Sequence, residues 1–334
     1  MNNQSKIEPR SGIERILDTA FYWIAKLLAF AIAGVLVWIT IQVAIAAMPA
    51  VEKFGLGFLG TSSWNPVKSQ YGVWPAIFGT LVSSFIALLI SVPIGLGVAI
   101  FLSEDYLSPA VQRVIVFLVE LLAAVPSVVY GLWGIFVLIP FLKGFTSLRG
   151  PGMLPAALIL SVMILPTIAA ISRDAITNVD IGLRQAAVGL GATRWETILK
   201  IILPAASSGI IGGIMLALGR ALGETMAVTM LIGNSNKDPI SSVPDKLSMV
   251  PEWWNTITDF LPDGLENLID RFINFIGHII FSPSNTVSSL LANQFAEASG
   301  LQVAALMYAA LILFVITLLV NILAQLLVTR LQKI

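Results

Sequence analysis

The stretch AASSGIIGGIMLALGRALGETMAVTMLI, residues 205–232, is mostly apolar and carries only two charged residues, Arg220 and Glu224. A hydrocarbon core about 30 Å thick needs roughly 20 apolar residues to cross it, and this stretch is long enough. A guanidinium at the centre of a bilayer costs about 2.5 to 3.5 kcal/mol even on insertion-based scales. The stretch therefore predicts a transmembrane helix whose charged residues are either compensated or functional.

The composition of the whole chain is that of a membrane protein. Its 334 residues are 57% apolar and 11% charged, with a mean hydropathy of +0.90, whereas a soluble domain carries about 25% charged residues. Basic and acidic residues balance at 19 each, so no charge excess points to nucleic acid as a partner. Because the chain has no cysteine and a single histidine, His278, a disulfide framework and Cys-ligated metal sites are excluded.

Six stretches have the length and hydropathy of a transmembrane helix. The first follows three basic residues, as a signal peptide would, but its apolar run is too long for one, and we interpret it as a retained span. In the third, Pro126 predicts a kink or a split into two pieces. The predicted spans are 21–48, 75–102, 113–142, 153–172, 205–232 and 301–328. The predicted fold class is an all-α polytopic membrane protein.

Basic residues in short loops favour the cytoplasmic side, and they predict an orientation with both termini cytoplasmic. The long outer loop, 233–300, is acidic. Within it, the stretch 253–281 alternates apolar and acidic positions at helical spacing, which predicts short amphipathic helices at the outer interface.

Motifs that carry chemistry are lacking. GLGFLG, residues 55–60, matches G-x-G-x-x-G, but it follows a span instead of a strand and is not expected to bind a dinucleotide. No phosphate-binding loop motif occurs, and His278 is the only histidine that a serine nucleophile would have as a base. We predict no catalytic residue, no metal and no cofactor in this chain.

A partly polar stretch, RQAAVGLGATRWETILKIILPAA, residues 184–206, lies in the predicted cytoplasmic loop 173–203. It predicts two short helices separated by Gly189 and Gly191, the second opened by a capping box of Thr193 and Glu196. One apolar face of this segment is formed by Trp195, Ile198, Leu199 and Ile202. Periodicity alone allows two interpretations, a helix lying on the inner leaflet or a helix that docks into the groove of a partner protein.

The same stretch resembles the permease subunits of ATP-binding-cassette importers, whose motif is E-A-A, three residues, Gly, nine residues, then I-x-L-P. The matching residues are Gln185, Ala186, Ala187, Gly191, Ile201, Leu203 and Pro204. The acidic first position is replaced by Gln185, which removes a charge from the motif. More narrowly, the stretches 62–84, 91–104, 118–134, 219–228 and 287–298 resemble phosphate-importer permeases of the PstC type.

This resemblance implies a MetI-like permease core over residues 75–328, with an added first helix, 21–48, and a cytoplasmic tail, 1–20. It also implies three kinds of partner: a homologous permease of the PstA type, two copies of a PstB-type ATPase and a PstS-type phosphate-binding protein at the outer face. ATP and Mg would be bound by the ATPase. The 173–203 loop, with Trp195 and the motif residues, would couple to it, and phosphate would cross the cytoplasmic (inner) membrane.

Arg220 and Glu224 allow two interpretations. They could form an ion pair that locks the helix to a neighbour, or Arg220 could contact a passing oxyanion while Glu224 holds its side chain in place, because a guanidinium pairs with two oxygens at once. Thr225 is a further candidate for the pathway. Small residues at positions 209, 213, 219 and 223 permit close backbone approach, and we assign Gly209, Gly213, Gly219 and Gly223 to the interface with the partner permease.

The transported ion remains open at this point. There are three alternatives for the function. The chain could belong to an importer for phosphate, it could belong to the same kind of importer for another oxyanion such as molybdate, sulfate or a phosphonate, or it could be a self-contained secondary transporter. The coupling motif argues against the third, since a carrier that works alone needs no ATPase-docking loop.

Overall fold

The computed structural model describes residues 12–104, 106–146, 148, 150–237 and 275–331, and within these ranges regular secondary structure is helical apart from one isolated bridge between Asn65 and Gln70. Six helical segments are long and apolar enough to cross a membrane: Leu17–Phe54, Trp74–Ser103, Ser127–Gly144, Met153–Thr177, Arg194–Gly223 and Leu301–Leu326. The predicted fold class, an all-α protein with six spans, is confirmed.

We label the described helices in chain order. The first seven are α1 (Gly12–Phe54), α2 (Gly57–Gly60), α3 (Trp74–Ser103), α4 (Pro109–Ala124), α5 (Ser127–Trp133), α6 (Ile139–Phe145) and α7 (Met153–Thr177). The others are α8 (Ile181–Gly189), α9 (Arg194–Thr197), α10 (Leu203–Gly223), α11 (Met226–Leu231), α12 (275–281), α13 (Val287–Gln294) and α14 (Leu301–Leu331). Two π-helical turns, Gly134–Leu138 and Ile198–Ile202, join α5 to α6 and α9 to α10.

The first and last spans pack side by side and run in opposite directions. The Tyr308 hydroxyl, near the start of α14, donates to the carbonyl of Gly55, just past the end of α1, at 3.1 Å. Phe58 stacks on the Tyr308 ring at a centroid distance of 4.7 Å, so the GLGFLG stretch lies in an aromatic cluster with no strand before it. The start of α1 and the end of α14 therefore lie at the same end of the bundle, called here the inner end; the opposite end is the outer end.

Helix α7 lies at the centre of the bundle and is the span with the most buried side chains. It packs between α3 and α10. A Cβ added at Gly209 of α10 would lie 2.5 Å from Ala175 Cβ, and one at Gly213 would lie 3.0 Å from Ile171 Cβ, both on α7. Gly209 and Gly213 therefore serve helix packing within this chain, which corrects their assignment to a partner interface.

The third predicted span, 113–142, is broken. Helix α4 ends at Ala124, Val125 and Pro126 are extended, and α5 begins at Ser127. This confirms the split expected at Pro126, which cannot donate a helical hydrogen bond and disfavours helix in the preceding residue. The helical region begins at Pro109 and ends at Phe145, so it is longer at both ends than predicted.

The fifth predicted span, 205–232, is also broken, and here the expectation of one continuous helix was wrong. Helix α10 ends at Gly223, Glu224 is extended with ψ 129°, and α11 begins at Met226. The break is stabilised by Glu224 itself, whose Oε1 accepts from the Ala227 amide at 3.3 Å and so caps α11.

Some predicted features lie wholly or partly outside the described residues. These are positions 1–11 of the tail, the part of the amphipathic stretch before residue 275, and the outer loop between 238 and 274.

Candidate functional site: a groove at a helix break and an apolar surface at the inner end

Arg220 lies in the last turn of α10 and faces a groove of about 690 Å³ between α7, α10 and α14. The groove is lined by Thr167, Gly212, Met215, Leu216, Gly219, Arg220 and Asn321. A Cβ at Gly212 or Gly219 would meet nothing within 4 Å. The two glycines therefore widen the groove beside the guanidinium.

Arg220 has no carboxylate partner in the part of the chain that the structure describes. No ion pair within 4.0 Å joins it to Glu224, whose carboxylate caps α11 instead. The break after Gly223 explains the difference, because Glu224 lies in the extended segment beyond α10 and does not have the i, i+4 geometry of one helix with Arg220. The predicted contact of Glu224 with the Arg220 side chain is therefore absent, and the guanidinium is available to another anion.

The other predicted pathway residue, Thr225, lies at the break itself, directly before α11. Its carbonyl accepts from the Thr229 hydroxyl at 2.6 Å. Tyr130 lies on α5, which packs against α11, and the Tyr130 hydroxyl donates to the Leu122 carbonyl at 2.7 Å. Both broken spans thus contribute polar groups to the same region.

The segments that bear α5 and α11 are packed closely. A Cβ at Gly131 would lie 2.6 Å from Met230 Sδ, and one at Gly134 would lie 2.7 Å from Leu231 Cδ1. Sequence reasoning missed Thr167 and Asn321, which line the groove together with Arg220. Only the Pro126 break pointed toward this region.

At the inner end, α8 and α9 form the predicted helical pair. The Asp180 side chain caps α8 by accepting from Gly182 N at 2.6 Å. Gly191 has φ +83°, a left-handed conformation that glycine adopts at low cost. The capping box of Thr193 and Glu196 is present, with both reciprocal hydrogen bonds. The turn predicted between the two helices is confirmed.

An ion pair that the sequence did not reveal holds α8 against the bundle. Arg184 Nη1 lies 2.6 Å from Glu104 Oε1, just past the end of α3, and the two side chains are only 23% and 18% exposed. Arg184 Nη2 also donates to the carbonyl of Ile176 on α7 at 2.9 Å. One arginine therefore ties α8 to two spans.

The apolar face predicted for this segment is divided between the core and the surface. Ile198 and Ile202 are buried against Ala99 and Ile176, whereas Trp195 is 58% exposed and Leu199 is 46% exposed. The division follows from the π-helical turn 198–202, through which α9 continues directly into α10. The exposed apolar side chains, called here the coupling surface, are Ile181, Leu183, Val188, Leu190, Trp195 and Leu199.

The motif residues lie on both sides of this division. Gln185 and Ala186 are exposed next to the coupling surface, and Ala187 is buried. Ile201 and Leu203 are partly buried, while Pro204 is exposed in the first turn of α10. The first half of the motif is thus mostly exposed beside the coupling surface. The second half connects that surface to α10, the helix that carries Arg220.

Among the described residues, six membrane-spanning segments and an exposed helical pair at the inner end, α8 and α9, fit the class of membrane-embedded transport permeases. The chain belongs to the family described as binding-protein-dependent transport system inner membrane component, whose model matches residues 91–333. It is a multi-pass protein of the membrane.

Solved structures share the fold. The bacterial alginate ABC transporter, in complex with its alginate-bound periplasmic protein, includes a chain that aligns with a TM-score of 0.53 at 16% identity, covering 93% of this chain and 94% of that one. A chain of the MetNI methionine ABC transporter, in inward-facing form, aligns with a TM-score of 0.50 at 17% identity, covering 78% of this chain and 94% of that one.

Curated relatives are more similar in sequence. The phosphate transport system permease protein PstC of Pasteurella multocida is 38% identical over 354 residues, covering 100% of this chain and 98% of the relative. PstC of Haemophilus influenzae is 37% identical, covering 95% of each chain. A probable ABC transporter permease of Bacillus subtilis, YqgH, is 43% identical over 188 residues, covering 55% of this chain and 60% of the relative.

Proposed function

We propose that this chain is a transmembrane permease subunit of an ATP-driven importer that moves inorganic phosphate across the cytoplasmic membrane, with both termini on the cytoplasmic side. The observation that carries the proposal is the guanidinium of Arg220. It has no carboxylate partner among the described residues, and it faces a groove between membrane-spanning helices. Relatives that are phosphate permeases along nearly their whole length support phosphate as the ion.

The chemistry of Arg220 suits an oxyanion. Its planar donors can pair with two oxygens of a tetrahedral anion, and at membrane depth such a pair is stronger than in water. Transport also requires that the anion leave again. A single guanidinium in an open groove provides one strong contact without enclosing the ion, which is compatible with passage.

The groove is open along its side in this chain. A charged side chain in a transmembrane segment faces a bundle interior or a water-filled cavity and not lipid, so a second subunit must cover this side. A homologous permease of the PstA type would place the groove at the interface between the two permeases. Of the predicted interface residues, Gly219 lines this groove, and an added Cβ would meet nothing within 4 Å at either Gly219 or Gly223.

The coupling surface is the proposed docking site for the ATPase. Six exposed apolar side chains on α8, on α9 and on the residues that follow each of these capped helices fit an amphipathic segment that inserts into a protein groove. Two PstB-type ATPase subunits would bind ATP and Mg, and a PstS-type binding protein would deliver phosphate at the outer end. In this proposal the chain itself supplies no catalytic residue, metal ligand or cofactor site.

The test is reconstitution of this chain with its permease partner, the ATPase and the binding protein in proteoliposomes. We expect uptake of radiolabelled phosphate that requires ATP and the binding protein, and we expect the chain purified alone to hydrolyse no ATP. Unlabelled phosphate should compete, while equimolar sulfate, molybdate or a phosphonate should compete weakly. If one of these three competes more strongly than unlabelled phosphate, the transported ion is that oxyanion and not phosphate.

A further inference from the structure

A second polar cavity lies at the outer end, away from the Arg220 groove. Its volume is about 240 Å³, room for a tetrahedral oxyanion with several waters at about 30 Å³ each. Four segments form it: the second turn of α3, the first turn of α7, the segment after α11, and the end of α12 with the connector that follows. The lining residues are Phe78, Met153, Ser235, Lys237, His278, Ile279, Ser282, Pro283 and Ser284.

The polar groups of this cavity are suited to an anion. Lys237 provides a positive charge, and Ser235, Ser282 and Ser284 provide hydroxyls. No Asp or Glu is among the described residues that line it. The N-terminal end of α7, a helix of 25 residues whose first residue Met153 lines the cavity, also lies there, and such an end carries partial positive charge.

The walls of the cavity are fixed by hydrogen bonds between segments. Ser284 N donates to Ile232 O and Ser235 N donates to Ser284 O, both at 2.9 Å. Met153 N donates to Ser282 O at 3.1 Å. Each of these bonds joins segments that are distant in sequence, so the backbone at Ser235, Ser282 and Ser284 is held in place before any ligand arrives.

Three glycines make room for the connector, residues 282–285. A Cβ at Gly79 would lie 1.9 Å from the carbonyl oxygen of Asn285, one at Gly152 would lie 3.2 Å from Ser282 O, and one at Gly233, which has φ +92°, would lie 2.8 Å from Pro283 Cβ. The connector is thus set tightly between α3, α7 and the segment after α11. The shape of the cavity is therefore fixed by the packing of these segments.

His278 contributes a polar group on one wall. Its Nδ1 lies 3.2 Å from the Ser282 hydroxyl, and burial lowers the pKa of its imidazole below the ordinary value. The imidazole is therefore neutral at neutral pH, and it orients Ser282 by a hydrogen bond. Lys237 is the group that supplies full positive charge.

We infer that this cavity, the outer pocket, is a weak binding site for a phosphate-class oxyanion, which is held by Lys237 and the surrounding hydroxyls before it reaches Arg220. The inference rests on the proposed function, because it adds a receiving site to the same route. An oxyanion released at the outer end has to leave bulk water, and a pocket with one ammonium and several hydroxyl donors replaces part of its hydration.

The test uses protection of a single cysteine. The chain has none of its own, so Ser235→Cys places one thiol in the pocket of the complete membrane complex, and the rate of its modification by a maleimide is read on the separated subunit. Inorganic phosphate is titrated without ATP, with chloride at equal ionic strength as the comparison. Because modification follows the unoccupied fraction, phosphate at ten times its dissociation constant should slow it about elevenfold.

Controls separate the pocket from general effects of salt and from the proposed function. Lys143→Cys, at the exposed end of α6, should not be protected by phosphate. Lys237→Gln should remove most of the protection of Ser235→Cys, whereas Arg220→Gln should leave it intact. If Ser235→Cys fails to assemble, Ile279→Cys provides a second reporter on another wall.

The outcomes are distinct. Absence of protection at both reporter positions, in complexes that still take up phosphate, would overturn the outer pocket and leave the proposed function standing. Protection that survives Lys237→Gln would equally exclude the proposed site. Protection in a complex that takes up no phosphate would retain the pocket and count against the proposed function.

Discussion

The absence of an Arg220–Glu224 ion pair leads to opposite expectations for two conservative substitutions. Glu224→Gln keeps an oxygen that can accept from Ala227 N, so we expect assembly near that of the unchanged protein and uptake reduced only a few-fold. Arg220→Gln removes the guanidinium that faces the groove. Hydrogen bonds to charged groups contribute about 1.5 to 3 kcal/mol, which corresponds to a loss of roughly 10- to 150-fold in phosphate uptake below saturation.

The assay is ATP-dependent phosphate uptake in proteoliposomes, with the amount of assembled complex measured in the same samples. Arg113→Gln is the matched control, an exposed arginine at the inner end of α4. Arg220→Lys should be intermediate, since it keeps the charge and loses the bidentate geometry. The reasoning is refuted if Glu224→Gln prevents assembly as an unpaired buried charge would, or if exchanging the two residues, Arg220→Glu with Glu224→Arg, restores full uptake.

Three further expectations follow from packing. Gly209→Leu should destabilise the fold of this chain because its side chain meets Ala175 of α7, whereas Gly219→Leu should leave the fold stable and lower uptake by filling the groove; thermal melting and uptake check both, and equal melting temperatures would contradict the assignment. Glu104→Gln removes the partner of Arg184 and should loosen α8 by about 1 to 3 kcal/mol, between the values for exposed and buried pairs, raising ATP hydrolysis per phosphate transported. Trp195→Ala should weaken copurification of the ATPase without changing the melting temperature, while Ile198→Ala should cost about 2 to 5 kcal/mol of stability. A loss of stability in Trp195→Ala, with weaker copurification only in Ile198→Ala, would exclude the division of this face into an exposed and a buried half.

The spans could be predicted from sequence because a bilayer imposes length and hydropathy on every crossing. The break between α4 and α5 could be predicted from Pro126, because proline disrupts a helix by a local mechanism. The second break had no such signal. Glycine is tolerated in membrane helices, and Glu224 looked like a helical partner of Arg220; only the structure shows its side chain capping the next helix.

The candidate sites show the same limit. The coupling segment was predictable because its caps, turn and motif lie within about 20 consecutive residues. The groove beside Arg220 depends on Thr167 and Asn321, which come from two other spans and carry no local pattern. The outer pocket joins four segments between Phe78 and Ser284, so no spacing rule could have assembled it.

The break after Gly223 also explains how the membrane accommodates Arg220. The residue lies in the last turn of α10, where the free carbonyls of a helix end carry a partial negative charge. That partial charge offsets part of the positive charge of the guanidinium. A paired carboxylate would also occupy the N–H donors of Arg220, whereas the helix end does not. The break therefore replaces the predicted ion pair and leaves Arg220 able to bind and release an anion.

Gly223→Ala tests this role of the break. Alanine favours a continued helix by about 1 kcal/mol over glycine, and an added Cβ here meets nothing within 4 Å, so the change acts through helix propensity and not through a clash. A longer α10 would bring Glu224 into i, i+4 position with Arg220, and we expect uptake to fall several-fold with assembly unchanged. Gly212→Ala, also without a contact within 4 Å but in the middle of α10, gains the same propensity away from the break. If both substitutions lower uptake equally, the effect is not specific to the break, and the break has no part in exposing Arg220.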